Sequence, residues 1–279
     1  MFSVIITCYK EGRDLLRAVE SVRRQTYKDY EIIVVKDYST HSQTLAACHE
    51  LEAEGVKVIY AEHNLGLSGA RNIGIEQASF DYIQFLDADD ELPENTLKNI
   101  ADTIIKYGEV EAVFGDYILD TGVEKSRIIC SNTDVITIKE YFRKHKIIGT
   151  LCYKKSLLQQ IGGYSMKYSI GCQDVDLHLR LFENGVKYTY CPEVLYIWNK
   201  REYGMNTSTH NAESFDECMY EHRDFVAPYI GKRYLLGLLK SHGNKEEYCR
   251  YFRQYAPRWC RWATILPFPL LTKFARFVK

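Results

Sequence analysis

Tyr82-Ile-Gln-Phe-Leu86-Asp87-Ala-Asp89-Asp90 opens as an apolar run and closes on three carboxylates. The run Tyr82–Leu86 has strand composition, and the next helical pattern, Asn95–Tyr107, starts only beyond Pro93. The same alternation extends back to the start of the chain. Ser3–Cys8, Glu31–Lys36 and Val56–Ala61 read as strands, and Asp14–Gln25, Ser42–Glu54 and Ser68–Ala78 as helices. The first of these helices places Leu15, Leu16, Val19 and Val22 on one face. A further strand follows at Ala112–Asp116. Strands alternating with helices of this length make βαβ units, hence an α/β fold with a mostly parallel sheet flanked by helices. Right-handed crossovers bring the C-terminal ends of the strands to one edge, where open α/β sheets bind ligands.

Beyond residue 116 the pattern is less regular. Val123–Cys130 and Thr150–Tyr153 read as strands, Tyr153–Ile161 runs into a helix stopped by Gly162-Gly163, and Asp174–Asn184 is a helix ending at Gly185. Val186–Trp198 has strand composition, with Pro192 expected to interrupt it, and from Ala212 onward the pattern is helical. The 279 residues are 46% hydrophobic and 26% charged, with formal net charge −1. Those values exclude a disordered or collagenous chain and argue against a basic nucleic-acid binder. The nine cysteines form no C-x-x-C pair, so reduced thiols are expected rather than a zinc ribbon or a disulfide framework. The first strand begins at Ser3, which leaves no room for a signal peptide, and no stretch reaches the ~18 apolar residues of a membrane span. The expected location is cytoplasmic.

Asp87 and Asp89, two positions apart as the chain leaves a strand, suit one hard divalent cation that wants oxygen ligands. The alternative is a solvated acidic loop before a helix. Thr7 and Tyr9 follow the first strand, Asp37 the second, and Ser68-Gly-Ala-Arg71 the third. Asp37 can accept from a base N–H and Tyr9 can stack on a base. Small residues at a helix N-terminus let backbone approach a phosphate, with Arg71 as charge partner. Each also has a plain structural reading: turn and cap residues at Asp37 and Ser39, tight packing at Gly69 and Ala70, a surface ion pair at Arg71.

In their order these motifs resemble the inverting family 2 glycosyltransferases, which have the GT-A nucleotide-diphospho-sugar transferase fold. The matching stretches are Ser3–Tyr9, Ala18–Tyr27, Tyr30–Thr40, Asn64–Gly74 and Asp81–Asp90, followed by Ile161-Gly-Gly-Tyr164 and Gln173-Asp-Val-Asp-Leu177. The resemblance covers roughly residues 2–200. It implies a nucleotide-sugar-binding half at 1–116, an acceptor-binding half at 117–199 and a helical extension at 200–279. Residue by residue it implies nucleoside contacts from Thr7, Tyr9 and Asp37, a diphosphate-side contact from Arg71, a sugar or ribose contact from Asp87, and a metal ligand, for Mn²⁺ or Mg²⁺, at Asp89. Asp174 falls at the catalytic base; its structural alternative is a helix N-cap. Asp176 is expected to orient the loop or bind an acceptor hydroxyl. This chain departs from the family at three places. Lys36-Asp37-Tyr38-Ser39 stands for Asp-Asp-Gly-Ser, and Gln173-Asp174 for Glu-Asp. Arg201 takes the basic role of an Arg-x-His whose nearest histidine here is His210.

The implied function is transfer of a sugar from a nucleotide-diphosphate donor, a UDP-sugar, to a glycan or lipid-linked acceptor in bacterial surface polysaccharide assembly. A sugar-nucleotide pyrophosphorylase and an inactive GT-A glycan-binding protein stay open as alternatives. Finally, Pro257–Lys279 interleaves Arg258, Arg261, Lys273 and Arg276 with Trp259, Trp262, Phe268 and Phe274 and contains no acid. A peripheral contact with the inner face of the plasma membrane, a helix packed on its own domain and a homodimer contact are the three readings of this tail.

Overall fold

The computed structural model describes residues 1–144, 147–168, 171–200 and 210–278. The chain divides into two compact units, Met1–Ser208 and Thr209–Lys279.

In the first unit, β1 (Phe2–Cys8), α1 (Asp14–Arg23), β2 (Tyr30–Lys36), α2 (Ser42–Ala53), β3 (Lys57–Tyr60), α3 (Gly66–Gln77), β4 (Tyr82–Asp87) and α4 (Thr96–Tyr107) follow in strict alternation. Next come β5 (Ala112–Asp120), β6 (Lys125–Ile128), β7 (Val135–Ile136), α5 (Ile138–Lys144), β8 (Cys152–Lys154), α6 (Lys155–Gln160), α7 (Gln173–Glu183) and β9 (Tyr188–Asn199). The sheet order is β3-β2-β1-β4-β8-β5-β9-β7, with β6 paired to β5. The block β3-β2-β1-β4 is parallel throughout. β8 enters antiparallel between β4 and β5, while β5 and β9 pair in parallel.

Hydrophobic burial explains this layering. Ile5, Ile6, Ile33, Val34 and Val35 are fully enclosed, and the buried faces of α1 (Leu15, Val19, Val22) and α4 (Leu97, Ile100) cover the sheet. Pro192 does not interrupt the last strand. The register of β9 slips against β5 around Asp116, and Pro192 and Glu193 stand exposed there. A bulge leaves a residue out of the ladder, so a proline without an N–H is tolerated.

The second unit contains α8 (His210–Glu221), α9 (Arg223–Val226), α10 (Lys232–Ser241), α11 (Lys245–Tyr255), a 3₁₀ stretch Arg258–Ile265, α12 (Phe268–Leu271) and a second 3₁₀ stretch Thr272–Phe277. Its own core joins Leu235, Leu236, Leu239, Tyr248, Phe252 and Leu271. Among the described residues no helix is long and apolar enough to cross a membrane.

α3 lies so close to the sheet that a Cβ on Gly74 would sit 2.4 Å from Ile5 Cγ2. Alanine at a helical glycine normally gains up to ~1 kcal/mol. Here overpacking against an enclosed, β-branched neighbour costs about 1–3 kcal/mol, and the clash wins. Gly74→Ala should therefore lower the urea midpoint of the chain.

Candidate active site

The strand register brings the site together. Thr7 on β1 pairs with Val35 on one side and with Asp87 on the other, and Cys8 pairs with Lys36. Thr7, Asp37 and Asp87 thus converge on the C-terminal edge of the parallel block. Tyr9 stands at the rim, partly exposed, with its N–H donating to Glu11 Oε2 at 2.5 Å.

Asp37 is buried, and its Oδ1 accepts from the Leu65 N–H at 2.7 Å, tying the loop after β2 to the start of α3. The next residue, Tyr38, has φ +41°, a left-handed conformation at the position where the resembled family has glycine. An L side chain adopts this region at a cost of roughly 1–2 kcal/mol. Lys36, which replaces an acid of the family pattern, is itself buried and donates from Nζ to the Ser39 carbonyl across that turn. This bond closes the turn that holds Tyr38 in its left-handed conformation. Of the small residues opening α3, Gly69 serves packing: a Cβ there would lie 2.3 Å from Leu65 Cβ and 3.1 Å from Met166 Cε.

Arg71 is not a surface ion pair. It is 2% exposed, and its Nη2 donates to Asp87 Oδ1 at 2.8 Å. Its guanidinium lies 5.1 Å from the Tyr164 ring centroid and 5.7 Å from that of Phe85. Among the described residues Nη1 is buried with no hydrogen-bond partner, and so is the Tyr164 hydroxyl. Burial disfavours the guanidinium charge, but Tyr164, Asp87 and Asp174 outweigh it and hold the group protonated. Burial likewise pushes the Tyr164 phenol up to about 12, against the pull of Arg71.

Tyr164 is placed by the Gly162-Gly163 turn, whose residues have φ +78° and +68°. A Cβ on Gly163 would lie 2.4 Å from Asn72 Oδ1. That close approach lets the Asn72 carboxamide grip the backbone, accepting from Tyr164 N–H at 2.8 Å and donating to its carbonyl at 2.9 Å.

Asp174 is the second residue of α7 and is not its N-cap; Cys172, with φ +59°, holds that position. Asp174 Oδ1 accepts from the Val175 N–H at 2.9 Å. The rest of the carboxylate rests on Gly149, where a Cβ would come within 2.8 Å of Oδ2. Asp176 is buried; its Oδ2 accepts from Arg180 Nε at 2.8 Å and pairs with the guanidinium charge, Nη2 lying 2.7 Å away, while Arg180 Nη1 donates to the Ile161 carbonyl at 3.0 Å. Arg180, oriented by Asp176, thereby links α7 to the turn that carries Tyr164. Arg201 lies outside the described residues, and His210 opens α8.

The three acids after β4 separate in role. Asp87 is about one-third exposed and Asp89 partly so, whereas Asp90 is buried. Asp90 Oδ2 accepts from the Tyr196 hydroxyl and Oδ1 from the Asn199 N–H, both at 2.8 Å. Tyr196 in turn accepts from the Asp87 N–H at 3.2 Å, and Arg17 and Asn199 both donate to the Asp89 carbonyl at 2.9 Å. Both oxygens of Asp90 are engaged inside the fold, whereas Asp87 and Asp89 are partly exposed, so theirs are the carboxylates of this loop that could hold a divalent cation. Burial, then repulsion from Asp87 and Asp89, pushes the Asp90 carboxyl up to about 8 against the hydrogen bonds from Asn199 and Tyr196.

Sequence reasoning missed Asn72, Asp90, Tyr164 and Tyr196 as site-forming residues. Asp90 follows a turn at residues 88–89, closed by its own N–H donating to the Asp87 carbonyl at 3.0 Å, so strand alternation did not reveal which way it faces.

Residues 3–166 match the family model described as glycosyl transferase family 2. Glycosyltransferase GlyG of Streptococcus pneumoniae serotype 4 is 31% identical over 118 residues, which cover 42% of this chain and 39% of GlyG. The minor teichoic acid biosynthesis protein GgaB of Bacillus subtilis is 26% identical over 257 residues, 88% of this chain and 27% of GgaB. The chain thus spans well under half the length of either relative. The crystal structure of S. aureus TarS 1-349 in complex with UDP-GlcNAc superposes with a TM-score of 0.71 at 18% identity, covering 99% of this chain and 87% of that one. This likeness establishes the shared fold.

One turn along α7 from Asp174, His178 is buried with its Nδ1 2.6 Å from the Tyr188 hydroxyl. Burial lowers its pKa to about 4, Asp174 opposing and Arg71 assisting. Unfolded, the ring takes its proton near 6.5. His178 therefore contributes stability that is complete above about pH 6.5 and is lost as pH falls through about 4, up to ~3 kcal/mol in all. Urea melts from pH 7 to pH 4 should show this acid-side loss, and His178→Gln should reduce the slope.

Proposed function

The chain belongs to glycosyl transferase family 2, and from that premise we propose that it transfers a sugar, with inversion, from a UDP-sugar to a hydroxyl of a glycan or lipid-linked acceptor. The observation that supports this reading is the convergence of Thr7, Asp37 and Asp87 on the C-terminal edge of the parallel block, with Asp87 held by the buried guanidinium of Arg71. The proposed setting is polysaccharide assembly on the cytoplasmic side of a bacterial membrane, by extension from relatives such as GgaB in teichoic acid biosynthesis. UDP is the proposed nucleotide because TarS, of the same fold, was solved with UDP-GlcNAc.

In this mechanism Thr7, Tyr9 and Asp37 line the nucleoside end, with Asp37 held in place by the Leu65 N–H. Asp87 and Asp89 would hold Mn²⁺ or Mg²⁺, and such a cation, when bound, supplies positive charge against the departing diphosphate. Asp174 takes the proton of the acceptor hydroxyl at Oδ2, since Oδ1 already accepts from Val175. The acceptor oxygen forms its bond to the anomeric carbon as the bond from that carbon to the UDP oxygen breaks on the opposite face. Arg71, held between Asp87 and Tyr164, orients Asp87.

The direct test is incubation with UDP-sugars and Mn²⁺ or Mg²⁺. UDP release supports transfer; pyrophosphate-dependent exchange, or sugar-nucleotide binding without turnover, overturns it. Asp89→Asn should abolish metal-dependent UDP binding in calorimetric titration while stability stays within about ±0.5 kcal/mol, because the side chain sits on a loop outside the core. Asp174→Asn should lower turnover by about 10²–10⁴ with UDP affinity unchanged, the pattern of a group acting in the transition state. If donor binding falls together with turnover, Asp174 belongs to the donor site.

A further inference from the structure

We propose that the segment from Arg258 to Arg276 is a lipid-facing surface that seats the chain on an anionic membrane. In a 3₁₀ helix, side chains three positions apart align along one ridge. Across Arg258–Ile265 this sorts the residues: Cys260 and Ala263 are fully buried in the core of the second unit. Trp259 and Ile265 share a ridge and are 60% and 78% exposed. Arg258 and Arg261, also exposed, begin the third ridge. The following stretch repeats the arrangement, with Leu271 and Val278 inward and Leu270, Lys273 and Arg276 exposed at three-residue spacing. Large apolar tips alternate with cations on a surface whose inner edge is anchored in a core.

Charge is also segregated within this unit. Its aspartates and glutamates all fall between Glu213 and Glu247, and none follows. Several are engaged internally: Asp224 by Arg250 and Tyr251, Glu247 by Arg223 and Tyr220, and Asp216 by Tyr234. The final segment therefore presents positive charge with no acid of its own. An anionic bilayer supplies both complements at once, headgroup charge for the arginines and lysine and apolar depth for Trp259, Ile265 and Leu270. With no membrane-crossing helix among the described residues, the contact lies in the interface plane.

The test is co-sedimentation of the full chain with vesicles of phosphatidylglycerol and phosphatidylcholine, compared with phosphatidylcholine alone, at low and high salt. The chain should pellet with the anionic vesicles, weakly or not at all with the neutral ones, and less at high salt. Each surface cation contributes about fivefold to such binding, so Arg258→Glu with Lys273→Glu should weaken it by at least about 25-fold. Ile265→Ser with Leu270→Ser should weaken it separately; all four residues are exposed, so melting temperature and UDP-sugar hydrolysis in solution should hold. Three results overturn the proposal: no pelleting of the full chain, equal pelleting with neutral vesicles, or wild-type binding by both folded double variants. A lipid-free dimer dissociated by these substitutions, with vesicles ignored, would assign the surface to a second copy. Vesicle binding without any donor hydrolysis would leave the surface standing and count against the proposed function alone.

Discussion

A guanidinium out of water must be compensated on every side, and Arg71 sets that condition for the first unit. Removing such a charge from solvent costs several kcal/mol, which good geometry and further polar contacts must offset. Asp87 supplies the ion pair, Phe85 and Tyr164 supply ring faces, and Asp174 adds a second negative charge. Each compensation pulls in a different element: β4 through Asp87, the Gly162-Gly163 turn through Tyr164, and α7 through Asp174. Asn72, the next residue of α3, holds the Tyr164 backbone, so one helical turn fixes both the charge and the ring that covers it. The strand edge that bears the nucleotide loops and the turn that carries Tyr164 are thereby held to each other by one side chain.

The opposite side of the acidic loop is fixed by different physics. Asp90 gives up solvent to accept from Tyr196 and Asn199, and the Asp89 carbonyl accepts from Asn199 and Arg17. The loop after β4 is thus bonded to β9 along its backbone, while the side chains of Asp87 and Asp89 stay partly exposed. Buried polar networks of this kind hold a geometry well only when every member is satisfied, and here each oxygen of Asp90 has its donor. The bulge at Pro192 belongs to the same design. It shifts the register of β9 just before Tyr196 and Asn199, the residues that reach the loop.

Much of this was legible in the residues. Short apolar, β-branched runs alternating with helical patterns gave the strands and helices of the parallel block, because both follow from local composition and burial. The three acids after a strand, and Asp37 after another, pointed to the ligand-binding edge, because chain direction in a parallel sheet decides where those loops lie. Less legible was the second half. β8 inserts antiparallel between β4 and β5 with only three residues, and β9 runs through a proline. Both depend on pairing partners distant in sequence, which no local pattern encodes.

By itself, then, the sequence determined the alternating α/β architecture, the edge that carries the candidate site and the types of side chain brought there. Periodicity and strand direction are local properties of the chain. Tertiary structure alone decided that Arg71 is buried against Asp87, that Asp90 turns inward to Tyr196, that Tyr38 takes a glycine-like conformation, and that Asp174 sits inside its helix beyond the cap. Each of those outcomes depends on what stands opposite a side chain across the sheet or the cleft. That neighbour is set by how the folded chain compensates most of its buried charges and polar groups.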